Sequence, residues 1–200
     1  SLLFTVSSQM VNEKSLLNKL NSSSSSAEKK VDELNELSRF YIYYLPQNSP
    51  SYSNKALKIA VDVNYLDGIA DSYLNLGFYS FRIDDYYNSE KYYKKAIEYY
   101  VKTNNKIGIG SCYQLMARTS NGLGNYEYSM DLLLRAHKIF EDIDYTIGVG
   151  RVFEIIGDIN DIFGDYSTAL ENLTYSIEIK EQNKDFLELS RSYAYLGNVF

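Results

Sequence analysis

An all-α fold built from antiparallel helix pairs is what this chain of 200 residues predicts, and three observations carry the expectation. First, a unit of 40 residues recurs: Gly68, Gly108 and Gly148 stand in register, as do Gly77, Ala117, Gly157 and Gly197. Second, Tyr86, Tyr126 and Tyr166 keep the same step, and so do Ala56, Ala96 and Ala136. Third, apolar residues between these markers recur at three- and four-residue steps, the period of a helix with one buried face. A fixed period of this size marks a solenoid of supersecondary units, each leaning on its neighbours.

The elements follow in order. Residues 1–8 read as the remnant of a secretory signal peptide, with Val6 and Ser8 at the −3 and −1 positions of a cut before Gln9. That reading sets the expected location outside the cytoplasm. Residues 9–26 hold a short helix, with Val11, Leu16, Leu17 and Leu20, and the serine run Ser22 to Ser26. Ser26 is placed to cap the next helix, because a serine oxygen accepts from the amides of a first turn. Residues 27–45 carry a helical stripe of Val31, Leu34, Leu37, Phe40 and Tyr41. Pro46-Gln47-Asn48-Ser49-Pro50 predicts a turn, and residues 51–63 a second helix around Ala56, Leu57 and Ala60.

Three regular copies follow. Their first helices (A) are expected to open at Gly68, Gly108 and Gly148. Asp84-Asp85, Gly124-Asn125 and Gly164-Asp165 turn each copy into its second helix (B). Asn104-Asn105, Asp142 to Asp144, and Asn183-Lys184-Asp185 turn it back. Gly, Asn and Asp suit these places because they tolerate the left-handed backbone that ends a helix. Glu188 to Phe200 reads as another helix A with no helix B behind it, its apolar residues (Tyr193, Tyr195, Leu196, Val199, Phe200) implying that the native chain continues. The array thus spans 27–200, in copies 27–67, 68–107, 108–147, 148–187 and a partial 188–200.

Composition narrows the function. The chain is 45% hydrophobic and 23% charged, enough to bury a core. Its 21 tyrosines suit helix seams, where the ring packs and the hydroxyl reaches a wet edge. A net charge of −6, with no long basic run, argues against nucleic acid as the partner. Cys112 reads as a small buried hydrophobe, and His137 as a solvated or seam-edge residue. No stretch is long enough to span a membrane, so any attachment to one would come through a segment outside these residues. The chain holds no His/Cys cluster for zinc, no phosphate-binding glycine loop and no nucleophile elbow. Asp84-Asp85 and Asp142-Ile143-Asp144 lack the alternating ligands of a calcium loop. No enzyme activity, cofactor or metal is therefore expected of this chain.

Side-chain size is patterned inside each copy. Tyr73-x-x-Leu76-Gly77 precedes Ser89-x-x-x-Tyr93-x-x-Ala96. Tyr113-x-x-Met116-Ala117 precedes Ser129-x-x-x-Leu133-x-x-Ala136, and Phe153-x-x-Ile156-Gly157 precedes Ala169-x-x-x-Leu173-x-x-Ser176. A small residue on each helix lets the two approach, and large residues fill the adjacent holes. This pattern resembles the tetratricopeptide repeat over about residues 28–200. It departs from that 34-residue pattern in its longer period, in Ser80, Ser120 and Asn160 where a Tyr is usual, and in lacking the closing proline. Gly68-Ile69-Ala70, Gly108-Ile109-Gly110 and Gly148-Val149-Gly150 are similar to the helix starts of a longer subclass.

The resemblance implies a right-handed superhelical solenoid whose A helices line a concave groove. Carried over by register, the groove positions are Asp71, Leu74, Phe78, Phe81 and Arg82, then Ser111, Gln114, Arg118 and Asn121. They continue with Arg151, Glu154, Asp158 and Asp161, then Arg191, Ala194 and Asn198. The ligand-binding set is expected to be Phe78, Phe81, Gln114, Arg118, Asn121, Arg151, Glu154, Asp158 and Arg191. Arg118, Arg151 and Arg191 suit an acidic group, or pair with Glu154, Asp158 and Asp161 on a solvated face. A clamp for a C-terminal carboxylate is not expected, because Leu74 and Phe78 stand where its polar residues would lie. The partner implied is a peptide or protein segment, or a second copy of the chain. With a signal peptide in front, such an array resembles the N-terminal sensor regions of bacterial membrane-bound signalling proteins, among them histidine kinases of Bacteroidetes type. The alternative is a cytoplasmic regulator that binds a signalling peptide and controls a transcription factor.

Overall fold

The computed structural model describes residues 13–20 and 26–183, with Leu189 and Tyr193 besides. Residues 1–8, most of the serine run, and most of 184–200, including Arg191, Ala194 and Asn198, lie outside the described residues. All regular structure among the described residues is helical. Residues 13–20 form α1. There follow α2 (Ala27–Tyr44), a 3-10 turn (Pro46–Asn48), α3 (Ser49–Asp62), α4 (Leu66–Arg82) and α5 (Tyr86–Thr103). The remaining helices are α6 (Lys106–Gly122), α7 (Tyr126–Glu141), α8 (Thr146–Ile162) and α9 (Tyr166–Gln182). No helix among them is long and apolar enough to cross a membrane. The chain divides into two compact units, Ser1–Asn105 and Lys106–Phe200.

The turns repeat at half the period. Asn64, Asp84, Asn104, Gly124, Asp144 and Gly164 all take positive φ, 20 residues apart. After each, the next amide reaches back to the carbonyl five residues earlier, as from Tyr65 to Ala60 (2.8 Å), Asp85 to Ser80 (2.9 Å) and Tyr145 to Phe140 (2.8 Å). This left-handed closure satisfies carbonyls that a helix end otherwise orphans. The A-to-B turns then cap the next helix: Asp85, Asn125 and Asp165 accept from the amides of Asn88, Tyr128 and Thr168. Ser26 caps α2 as expected, accepting from the Lys29 amide at 3.2 Å.

Two expectations are corrected. The Pro46–Pro50 turn ends early, because α3 already begins at Ser49 with Pro50 in its first turn, where a missing N–H costs nothing. The A helices begin at Leu66, Lys106 and Thr146, two residues before Gly68, Gly108 and Gly148. Gly68 and Gly148 therefore sit inside a first helical turn, and their role is close approach. A Cβ on Gly68 would stand 2.6 Å from Val31 Cγ1, and one on Gly148 would stand 2.6 Å from Phe140 Cγ.

The size pattern of each copy is realised in the core. In unit 1, α4 and α5 meet where a Cβ on Gly77 would lie 2.6 Å from the Tyr93 ring, which is fully buried. In unit 2, Gly157 gives way to Leu173, and Gly110 and Gly148 both give way to Phe140, again fully buried. The buried stripe of α5, Ser89, Tyr93, Ala96 and Tyr100, has the four-and-three spacing of one helix face. Leu16 of α1 packs with Leu37 and Tyr41 of α2, and Tyr41 donates to Glu13 at 2.6 Å. Several polar groups in these seams are paired. Ser38 of α2 meets Ser49 and Ser53 of α3 at 2.8 and 2.5 Å. Asn35 of α2 donates to the Gly68 carbonyl at 3.2 Å and accepts from Ser72 at 3.1 Å. Cys112 is wholly buried, as expected.

Candidate functional site

The face of each A helix that packing leaves over was expected to carry the ligand. The two units present different chemistry there. In unit 1, Phe78 and Phe81 lie one turn apart on α4, with ring centroids 6.4 Å from each other. Tyr43 of α2 meets Phe78 edge-on at 5.6 Å, and Tyr86 of α5 meets Phe81 at 6.1 Å. Both phenylalanines are half-buried, so the four rings form an aromatic ledge with one side open. Leu74 is half-buried beside them in sequence, and Arg82 is exposed in the last turn. Asp71, placed by register in the groove, belongs to the seam with α5. It accepts from the Tyr100 hydroxyl, and burial pushes its carboxyl above the usual carboxylate range against the pull of that bond and of Arg39. Its neighbour Asp67 accepts from Thr103 at 2.7 Å and Asn105 at 3.2 Å.

In unit 2 the same face carries charge. Gln114, Arg118 and Asn121 follow one face of α6, and Arg151, Glu154, Asp158 and Asp161 follow one face of α8. The structure brings Arg118 and Glu154 together, Nη2 to Oε1, at 2.6 Å. Lys180 of α9 holds the other oxygen of the same carboxylate. Glu154 and Lys180 are both 0% exposed at the side chain, whereas Arg118 keeps 20%. Asp158, one turn beyond Glu154, is pushed up to about 7, first by burial and then by Glu154 and Asp161, against Arg118 and Lys180. The charge of the cluster therefore changes by one as this carboxyl gives up its proton near neutral pH.

The predicted set therefore divides. Phe78 and Phe81 touch each other as one surface, and Arg118, Asn121, Arg151 and Asp158 stay half-buried on theirs. Gln114 and Glu154 are corrected to buried positions. Glu154 is not on a solvated face, because the two cations that hold it shut it from water. It orients Arg118 and takes no part in a surface contact. Lys180 is the residue that sequence reasoning missed. Its signal was a broken register: it stands where the earlier copies put Tyr100 and Phe140, both core residues, so a lysine there required a buried partner. His137 is a seam-edge residue, 26% exposed, with Nδ1 3.3 Å from Glu141.

What this arrangement offers is recognition. An aromatic ledge takes an apolar side chain, and guanidinium, amide and carboxyl groups along a helix face hydrogen-bond a peptide or acidic group.

No family model matches the chain, and no curated protein matches it. Solved structures do. BtubC (BKLC) from P. vanneervenii superposes with a TM-score of 0.68 at 15% identity, covering 100% of this chain and 83% of that one. Aspartyl phosphate phosphatase F from Bacillus subtilis gives 0.71 at 16% identity, covering 84% of this chain and 45% of its own. The apo form of RapI gives 0.68 at 19% identity, covering 100% and 72%. The chain thus spans less than half the length of the Bacillus subtilis phosphatase. At these identities the likeness shows the fold, an all-α array of helix pairs of the tetratricopeptide type.

Proposed function

We propose that this chain is a binding module that receives a peptide or protein segment on the A-helix faces of its units. One observation carries the reading. Apart from Lys180, which stands where Tyr100 and Phe140 are core residues, the packing residues keep their kind from copy to copy, while the residues left over change from aromatic at Phe78 and Phe81 to charged and amide at Arg118, Asn121 and Asp158. A scaffold that holds constant while its free face diversifies is one built to recognise. The setting we propose is extracytoplasmic, as the sensing part of a membrane-bound signalling protein; the leader-like composition of residues 2–9 supports it.

The test is selection of peptides from a display library on the 200-residue chain, followed by calorimetry. Recovered peptides are expected to lose roughly tenfold in affinity on Phe81→Ser or Asn121→Ala, the loss typical of a contact near the centre of an interface. Glu127→Gln, an exposed change on helix B, should leave them unaffected. Peptides that bind both face variants as tightly as the parent would remove the A-helix face from consideration. Fractionation of the native full-length protein addresses the setting, and recovery in the cytoplasm would favour a regulator of the second kind.

A further inference from the structure

One helix-B position changes its chemistry along the array. Lys95, Arg135 and Tyr175 occupy it in α5, α7 and α9, and Tyr73, Tyr113 and Phe153 are the aromatic residues that precede it on the A helices. In unit 1 the Lys95 ammonium lies 5.0 Å from the centroid of the Tyr73 ring, with Tyr92 and Tyr99 stacked nearby at 6.2 and 6.1 Å. In unit 2, Arg135 pairs with Asp131 of its own helix at 3.0 Å, and Tyr113 acts on the guanidinium as well. These two copies carry a cation of their own at this position, and the third carries Tyr175 instead.

There Tyr175 meets Phe153 edge-on at 4.8 Å and 83°, and His137 meets Phe153 at 5.4 Å and 82°. An open cleft of about 560 Å³ lies along these rings, lined also by Glu141, Asp144 and Glu178. A second hollow of about 540 Å³ shares Phe153, Tyr175 and Glu178 and adds Glu171. No lysine or arginine among the described residues lines either one. The register shows how the charge arose: Glu141, Asp144 and Gln182 replace Val61, Asn64 and Lys102 of unit 1. Relative to unit 1, the described lining thus holds fewer cations and more carboxylates.

Rings set nearly perpendicular form a corner, and the negative face of each ring attracts a cation brought within about 6 Å. Surrounding carboxylates draw that cation in from solution. Tyr175 is 44% exposed and Glu178 is exposed, so the corner is reachable. We propose that this corner docks a lysine or arginine side chain presented by a basic segment of a partner protein, filling the place that Lys95 fills in unit 1. The site uses α7 and α9 as well as α8, and is independent of the A-helix face proposed above.

The probe is a fluorescent peptide of alternating glycine and lysine with four lysines, followed by anisotropy at low salt beside its acetyl-lysine counterpart. The lysine peptide is expected to bind and the acetylated one not to. Tyr175→Lys rebuilds the Lys95 arrangement and should weaken binding at least about tenfold, while Glu178→Gln should weaken it about threefold. Helix content measured by circular dichroism is expected to be unchanged in Tyr175→Lys, because an earlier copy carries lysine at that exposed position. Phe81→Ser should leave this binding intact, which separates the result from that of the A-helix face. Equal binding of the acetylated peptide, or undiminished binding by Tyr175→Lys, overturns the proposal. So does a dimer of the chain that Tyr175→Lys dissolves in sedimentation, since the occupant would then be a second copy.

Discussion

Lys180 of α9 places its ammonium against the Glu154 carboxylate of α8, and both side chains are sealed from water. Neither charge survives there alone. Lys180→Met leaves Glu154 to Arg118, which binds only one of its oxygens, and should cost about 3–5 kcal/mol in urea unfolding. Replacing both, as Lys180→Met with Glu154→Leu, should recover most of that loss, because neither of the two sealed charges is then left without the other, while Arg118 keeps 20% of its side chain in water. A double variant as unstable as the single one would mean that packing, and not charge, sets the cost.

Asp158 makes unit 2 sensitive to pH. Its carboxyl titrates near 3.8 when unfolded and at about 7 when folded, so the folded state holds the proton more tightly. Stability contributed by this group is therefore highest below pH 4, falls as pH rises from 4 through 7, and is at its lowest above 7. Keeping the ionised form buried costs on the order of a few kcal/mol. Asp158→Asn should accordingly raise the melting temperature at pH 8 and change it little at pH 4.5. An equal shift at both values would show that the carboxyl is not perturbed.

Gly77 and Gly124 separate two uses of glycine. A Cβ on Gly77 meets the immobile Tyr93 ring, so Gly77→Ala should destabilise by about 1–3 kcal/mol through overpacking. Gly124 has open space around it but a φ of +73°, so only backbone conformation opposes a side chain there. Gly124→Ala should cost about 1 kcal/mol, and Gly124→Asn much less, since asparagine tolerates the left-handed region. Thermal melts of the three variants check the ordering.

The A-to-B caps should behave as one class. Asp85, Asn125 and Asp165 each hold the third amide of the following helix. Alanine at any of them should cost about 1 kcal/mol, and serine should restore most of it. Chemical denaturation of the alanine and serine pairs measures both effects.

Much of this architecture is legible without coordinates. The left-handed turns at Asp84, Asn104, Gly124, Asp144 and Gly164 fall on the residue types expected there, because local backbone sterics act through one residue at a time. Gly77 against Tyr93 and Gly157 against Leu173 are legible from size alternation, because close packing makes small and large residues mutual requirements. The helix starts were displaced by two residues, since Gly68 and Gly148 mark contacts with Val31 and Phe140, not helix boundaries.

The candidate sites were less legible, for the same reason. Register put Phe78 and Phe81 on one surface correctly, because a helix face is a local property. It could not say that Glu154 turns inward, since that depends on Arg118, 36 residues before it, and Lys180, 26 residues after it. Nor could it show that Phe153 and Tyr175 meet at a right angle beside an acidic cleft. The sequence by itself determined the helices, their turns and the small-to-large seams, because each rests on backbone sterics and short-range periodicity. Only the tertiary structure decided which charges are buried in pairs and which remain exposed, because burial is set by what the neighbouring helices bring to the same point.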